Sequence, residues 1–361
     1  MHSARIKKYP IKDPLGNAIA QGKVQVAYRR VIIKKFGPPR VLQVIDEPQL
    51  PEPNPGEVRV RVQAISAAYT DTMIRKGVYP DVKEKPPFSP GYDMVGVVDK
   101  LGNGVSNFKI GDRVCDLTVI GSYSEYLCMS EERLVSVPES IEAGEAVSLI
   151  LTYVTAYQML HRIGKVQAGQ SILVHGAGGA VGSALQELAR LENLNIYGTA
   201  SAEKHKSLQQ VGATLIDYRH ESFIEKINQV EPGGIDMVFD GLGWQSFKRS
   251  LKVIKSGGLL IAYGFSDAVR KGKIAVMLDF IRFKLMSILP GSRRKTFYSI
   301  TALRNQHPDW FADDLTKLFA LLSSSRIKPL IWRRMPLSEA RHAHELIEQS
   351  KPIGKIILEI E

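Results

Sequence analysis

The spacing of apolar positions changes near residue 141 and divides the chain there. Before it, apolar runs are short and β-branched. Residues 29–33 (RRVII) and 57–65 (EVRVRVQAI) alternate or cluster such side chains, which predicts strands. Pro48, Pro51, Pro53, Pro55 and Gly56 form a rigid connection between them. Residues 95–98 (VGVV) and Arg113-Val114 continue the pattern, with turns at Gly102-Asn103-Gly104 and Gly111-Asp112. Residues 141–163 are long, apolar and nearly free of glycine and proline, and predict two successive helices.

From residue 171 the pattern becomes regular. Apolar runs at 171–175, 195–199, 214–217, 235–240 and 259–263 predict strands. Helical spacing fills 183–194, 202–211, 223–230 and 247–254; in the first of these Ala184, Leu185, Leu188, Ala189 and Leu191 share a face. Such alternation predicts an α/β fold with a parallel, doubly wound sheet. Beyond about 270 the chain reads as irregular and basic, and 270–300 is a candidate cover for a substrate cleft. Amphipathic helices are predicted at 313–322 and 338–348, with Ser338 as N-cap, and a last strand at 355–360. Residues 1–28, broken by Pro10, Pro14 and Gly16, read as an extension outside the main fold.

Length and charge narrow the function. A chain of 361 residues fits two domains at roughly 100–200 residues each. The net charge of +11 raises nucleic acid as a partner. The basic clusters, Arg29-Arg30 with Lys34-Lys35 and Arg293-Arg294-Lys295, are short and carry no nucleic-acid motif, so that partner is set aside. A basic surface also steers anionic small molecules inward. Cys115 and Cys128 are the two cysteines; they imply no disulfide framework and fit a reducing compartment, with the cytoplasm as expected location. No apolar run reaches the roughly 18 residues of a membrane-spanning helix.

The chemistry-bearing motif is HGAGGAVG, His175 to Gly182. It follows a predicted strand and opens a predicted helix, the context a dinucleotide turn requires. Gly176, Ala177, Gly178, Gly179, Ala180, Val181 and Gly182 let the backbone approach a pyrophosphate, whose charge meets the free amides of the helix start. An NAD site places an acid about 20 residues on, at the ribose 2′-hydroxyl. The stretch 198–202 (GTASA) has none. Ser201, Lys204 and Tyr218 suit a 2′-phosphate, which predicts NADPH; Glu203 is the one nearby feature that suits NAD. Gly241, after the fourth strand, joins the predicted cofactor set.

Several separated segments carry a resemblance: PGYDMVGVV at 90–98, LGNGV at 101–105, GDRV at 111–114, Ala156-Tyr157, and GKIIL at 354–358. In that order they resemble the medium-chain dehydrogenase/reductase superfamily. The resemblance implies a GroES-like β-barrel catalytic domain over 29–150, completed by 291–361, and a Rossmann NADPH-binding domain over 151–290. Zinc alcohol dehydrogenases of this superfamily carry a Cys where Ala68 stands and a His where Tyr92 stands. Zinc takes Cys, His or carboxylate ligands, so a zinc-free enzyme is expected. The chain is most similar to the quinone oxidoreductase branch, near vesicle amine transport protein homologues. That branch often has Asn at the position of Ala68 and Tyr at that of Met73, and both departures imply a wider, less polar pocket.

The resemblance implies hydride transfer from NADPH to a quinone or an α,β-unsaturated carbonyl. Tyr79 is the first candidate donor to the acceptor oxygen and Tyr69 the second. Thr155, with Thr152, is placed on the nicotinamide side. A homodimer is expected through an edge strand near 259–265. Two readings compete: an NADPH-binding protein with weak catalysis and a structural or regulatory role, and a zinc-free carbonyl reductase.

Overall fold

The computed structural model describes residues 28–209 and 212–360. The expected extension lies outside the described residues apart from Tyr28, which begins the first strand, Tyr28–Ile33. That strand pairs antiparallel with Leu42–Glu47.

The chain forms an α/β fold with a GroES-like part and a Rossmann-like part. In the first, Glu57–Ala67 is the central strand, and fully buried Val58, Val60 and Ile65 tie it to the core. It pairs antiparallel with Met94–Leu101, with Tyr126–Ser130 and with the C-terminal strand Lys355–Glu359. The last of these returns the end of the chain to the barrel and sets Lys355 beside the other domain.

The second part is a six-stranded sheet, every pairing in it parallel. Its order is Thr214–Asp217, Asn195–Ala200, Ser171–His175, Ile235–Asp240, Ile254–Ala262, Arg294–Phe297. The order of strands reverses between Ser171–His175 and Ile235–Asp240. In such sheets ligands bind beyond the carboxyl ends of the strands at that switch.

Three expectations need correction. Residues 143–164 form one continuous helical run, because the expected break is absorbed by wider π-type turns at Leu149–Tyr153 and Gln158–Gly164. The stretch after 270 is ordered: Lys273–Ile288 is a helix, and Arg294–Phe297 is a strand that carries the sheet past residue 290. Strand Ile254–Ala262 is consequently interior, paired on both sides, so 259–265 is no free edge for a dimer. The sheet ends instead at Arg294–Phe297.

Candidate active site

The strand Ser171–His175 ends in a ring held on both sides. His175 Nδ1 lies 3.0 Å from Thr199 Oγ1 and Nε2 lies 3.0 Å from Ser250 Oγ. Burial pushes the imidazole pKa down, so the ring stays neutral and links the strand end to its neighbours without adding charge. Gly176 then turns the chain at φ +68°, a left-handed conformation that side chains rarely adopt. Gly179 caps the helix Ala180–Leu191. A Cβ on Gly182 would lie 2.3 Å from the Gly176 carbonyl oxygen, and one on Gly178 would lie 2.8 Å from Lys204 Cδ. The first helical turn has amides without intrahelical partners, aimed over this bare backbone. The cradle fits a pyrophosphate.

At the far end of the next strands stand Ser201, Glu203, Tyr218 and Arg219, all on the cleft wall. Lys204 also lines the cleft, but its ammonium donates to the carbonyls of Ser350 (2.7 Å) and Pro352 (2.8 Å). It clamps the C-terminal loop onto the glycine turn, where Gly354 N–H also donates to Gly178 O at 3.1 Å. The cation beside Tyr218 is Arg219, paired with Glu203. Sequence spacing singles out Lys204 and passes over Arg219, which directly follows Tyr218 at the strand end.

On the barrel side, Tyr79 and Tyr92 meet hydroxyl to hydroxyl at 2.5 Å. Tyr92 is fully buried, Tyr79 half-buried and open to the cleft. Burial raises the pKa of both, so both stay protonated near neutral pH. Tyr69 lines the cleft too, but its hydroxyl donates to Ser266 O at 3.2 Å, and burial pushes its pKa up to about 12. Thr152 and Thr155 are buried at the same wall. Gly241 stands across it, where a Cβ would lie 3.0 Å from the Tyr263 ring.

Beneath this wall lies a polar floor that the sequence pattern does not reveal. Lys355 Nζ donates to Thr152 Oγ1 at 2.8 Å and stands 3.9 Å from Asp93 Oδ2. Asp93 accepts from Ser66 Oγ (2.6 Å) and Ser66 N–H (3.0 Å). Asp71 accepts from the Ala68 N–H at 2.8 Å, and its other oxygen has no hydrogen-bond partner. Burial lowers the Lys355 pKa, raises that of Asp93, and pushes Asp71 up to about 8. The GKIIL motif contains Lys355, but nothing local ties it to Asp93, far back along the chain.

One cleft of about 1700 Å³ joins the glycine turn to the tyrosine pair. Apolar side chains on its wall include Met73, Val276, Met277, Phe280 and Phe297. The donor set does not fit a catalytic zinc. Ala68 offers no ligand atom, Tyr92 Oη is engaged by Tyr79, and Asp93 by Ser66. Among the described residues no group of three or more His, Cys, Asp or Glu could hold a metal ion.

Two family models match the chain: "Zinc-binding dehydrogenase" over residues 211–358 and "Alcohol dehydrogenase GroES-like domain" over 54–139. The human synaptic vesicle membrane protein VAT-1 homolog is 31% identical over 85% of this chain and 80% of its own length. The chain belongs to the medium-chain dehydrogenase/reductase superfamily. Within that superfamily it is also 30% identical to rat quinone oxidoreductase, over 92% of this chain and 98% of the relative. The solved Escherichia coli quinone oxidoreductase, a complex with NADPH, superposes with TM-score 0.81 at 28% identity, covering 92% of this chain and 99% of that one. The human VAT-1 homolog-like protein gives 0.77 at 28% identity, covering 93% and 98%. No helix among the described residues is long and apolar enough to cross a membrane.

Proposed function

We propose that this medium-chain dehydrogenase/reductase binds NADPH and, without zinc, reduces a quinone or the C=C bond of an α,β-unsaturated carbonyl. The observation that carries this reading is the continuity of one cleft from the Gly176–Gly182 turn to the Tyr79–Tyr92 pair. The turn from Gly176 through Ala177, Gly178, Gly179, Ala180 and Val181 to Gly182 holds the pyrophosphate. Ser201, Tyr218 and Arg219 receive the 2′-phosphate, with Lys204 bracing the loop beside it. Thr155 and Gly241 flank the nicotinamide. The chemistry that bound NADPH supplies is hydride donation to an electron-poor carbon.

The rest falls to the protein. No strong Lewis acid is built from these side chains, so the acceptor must already be electron-poor. When Tyr92 donates to Tyr79, the Tyr79 O–H is free to donate to the acceptor oxygen, where negative charge develops. Its raised pKa makes it a hydrogen-bond donor rather than an acid that gives up its proton. Solvent at the cleft mouth supplies the proton that completes the product. The apolar wall selects a bulky, weakly polar acceptor.

The test follows NADPH absorbance with an ortho-quinone, an enal, an enone, a 2-enoyl thioester and a saturated ketone, with NADH in parallel. Turnover of the quinone or the C=C substrates with NADPH, but not of the ketone, supports the reading. Ketone turnover overturns it. Tight NADPH binding with no turnover would favour the second reading, a cofactor-binding protein with weak catalysis; the engagement of Tyr79 by Tyr92 is the feature that speaks for it. A homodimer and a cytoplasmic location belong to the same proposal, the first checked by light scattering and the second by fractionation.

A further inference from the structure

Thr152 has a hydroxyl whose proton has nowhere to go within the protein. The residue lies in the wide turn Leu149–Tyr153, is 3% exposed, and lines the cleft. Lys355 Nζ donates to its oxygen at 2.8 Å. An ammonium has three donors and no acceptor, so Thr152 Oγ1 accepts in this pair. Its own proton needs an acceptor elsewhere. Ser148, one turn earlier, gives its proton back to the helix, to Gly144 O at 2.8 Å. Thr152 does not: among the described residues, the contact with Lys355 is the one hydrogen bond of its hydroxyl. A buried donor without a partner costs free energy, and the open side of this one is the cleft.

The fold places the ammonium firmly. Gly354 N–H donates to Gly178 O at 3.1 Å, and Lys355 N–H donates to Leu330 O at 2.8 Å. Gly354 turns the chain at φ +83°, and a Cβ there would strike the Leu330 carbonyl. Lys355 is therefore the next residue past the clasp on the glycine turn. It is 4% exposed, with Asp93 Oδ2 as counter-charge 3.9 Å away. Asp93 is fixed by Ser66 and directly follows Tyr92 in the chain. Burial drives the Lys355 pKa down, and Asp93 opposes that and favours the charged form. Lys355 and Thr152 thus stand between the pyrophosphate cradle and the tyrosine pair. A nicotinamide that passes hydride to an acceptor at Tyr79 must lie in that interval. The hydrogen-bond acceptor on its ring substituent is the carboxamide oxygen.

We propose that Lys355 is a positioning residue for the cofactor: it holds the Thr152 oxygen as an acceptor and so directs the Thr152 O–H at the nicotinamide carboxamide oxygen. Thr152 touches the cofactor, and Lys355 acts through it. Fixing the carboxamide fixes the rotation of the ring about its bond to ribose, and with it the face presented to the acceptor. The inference rests on the NADPH reading above.

The experiment titrates the full chain with NADPH and with 2′-phospho-ADP-ribose, which keeps the pyrophosphate and the 2′-phosphate but has no nicotinamide. Thr152→Val removes the hydroxyl and keeps the shape. It is expected to weaken NADPH binding about 3- to 10-fold, the range for one net hydrogen bond, and 2′-phospho-ADP-ribose by less than about twofold. Thr152→Ser keeps the hydroxyl and is expected to stay within about twofold of the wild type for both. Lys355→Met should reproduce the pattern of Thr152→Val, and combining the two should add nothing, because both break one contact. Should Lys355→Met fail to fold, with Asp93 left uncompensated, the two Thr152 variants decide. Equal losses for both ligands in Lys355→Met overturn the proposal and assign the ammonium to the pyrophosphate. Wild-type NADPH binding in Thr152→Val or in Lys355→Met also overturns it. A wild-type chain that binds neither ligand overturns the NADPH reading, and this inference with it.

Discussion

Tyr79 Oη lies 2.5 Å from Tyr92 Oη, the half-buried ring standing edge-on to the fully buried one. The resemblance to zinc enzymes sets a metal-binding His where Tyr92 stands, and the contact found at Tyr92 is hydroxyl to hydroxyl. If Tyr79 donates to the acceptor, Tyr79→Phe loses one hydrogen bond to developing charge. We expect kcat/KM to fall by about 100- to 1000-fold, the range for a lost donor of this kind. Melting temperature should change little, because the ring and its packing remain. A variant with wild-type turnover would remove Tyr79 from the mechanism.

What is local and periodic can be read from the chain directly. The strand–turn–helix at 171–191 is legible because a short apolar run, a glycine turn and a helical face follow one another. The helix Lys273–Ile288 is not, because both of its faces are apolar and no alternation marks it. Its strand neighbour Arg294–Phe297 opens on two basic residues, which hides it, and missing it moves the expected sheet edge to the wrong strand. The polar floor is illegible for a different reason. Lys355, Thr152, Asp93 and Asp71 come from four separate segments, and only folding brings them together. Arg219 is within reach of sequence reasoning: it follows Tyr218 at the end of a strand that the apolar pattern places correctly.

Arg219 is the residue expected to discriminate between the two nicotinamide dinucleotides. It is exposed and paired with Glu203, whose carboxylate alone would repel a phosphate. Replacing it with Ala removes the charge-assisted bond proposed to the 2′-phosphate. The Kd for NADPH should rise about 10- to 100-fold, from about 1.5–3 kcal/mol, while that for NADH stays within about threefold. Fluorescence titration with both dinucleotides measures this. Equal losses for the two would remove Arg219 from that discrimination.

Gly182 has no room for a side chain. The clash of 2.3 Å is with backbone, the Gly176 carbonyl, which cannot swing aside. Gly182→Ala should therefore push the turn and the helix start apart, with a stability loss of about 1–3 kcal/mol, typical of overpacking. NADPH affinity should fall more than the urea midpoint does if the displaced amides are, as proposed, the ones that meet the pyrophosphate. Isothermal titration beside urea unfolding separates the two, and undiminished affinity would show that the cradle lies elsewhere.

Asp71 gives the stability of the fold a pH dependence of defined sign. In the unfolded chain its pKa is about 3.9. In the fold, burial, with a smaller contribution from the charge on Asp93, pushes it up to about 8. The native state thus holds the proton more tightly than the unfolded state. Its contribution is fully present below about pH 4 and is lost as pH rises through about 8. Asp71→Asn keeps a carbonyl oxygen to accept the Ala68 N–H and cannot ionise. Relative to wild type, the variant should gain stability steadily between about pH 4 and pH 8, at no more than about 1.4 kcal/mol for each pH step of one, and by a few kcal/mol in all. Urea unfolding at several pH values from about 5 to about 8 gives the two slopes. Parallel slopes in wild type and variant would mean that Asp71 is already ionised across that range, and that Lys355 neutralises the floor far more strongly than its distance from Asp93 suggests.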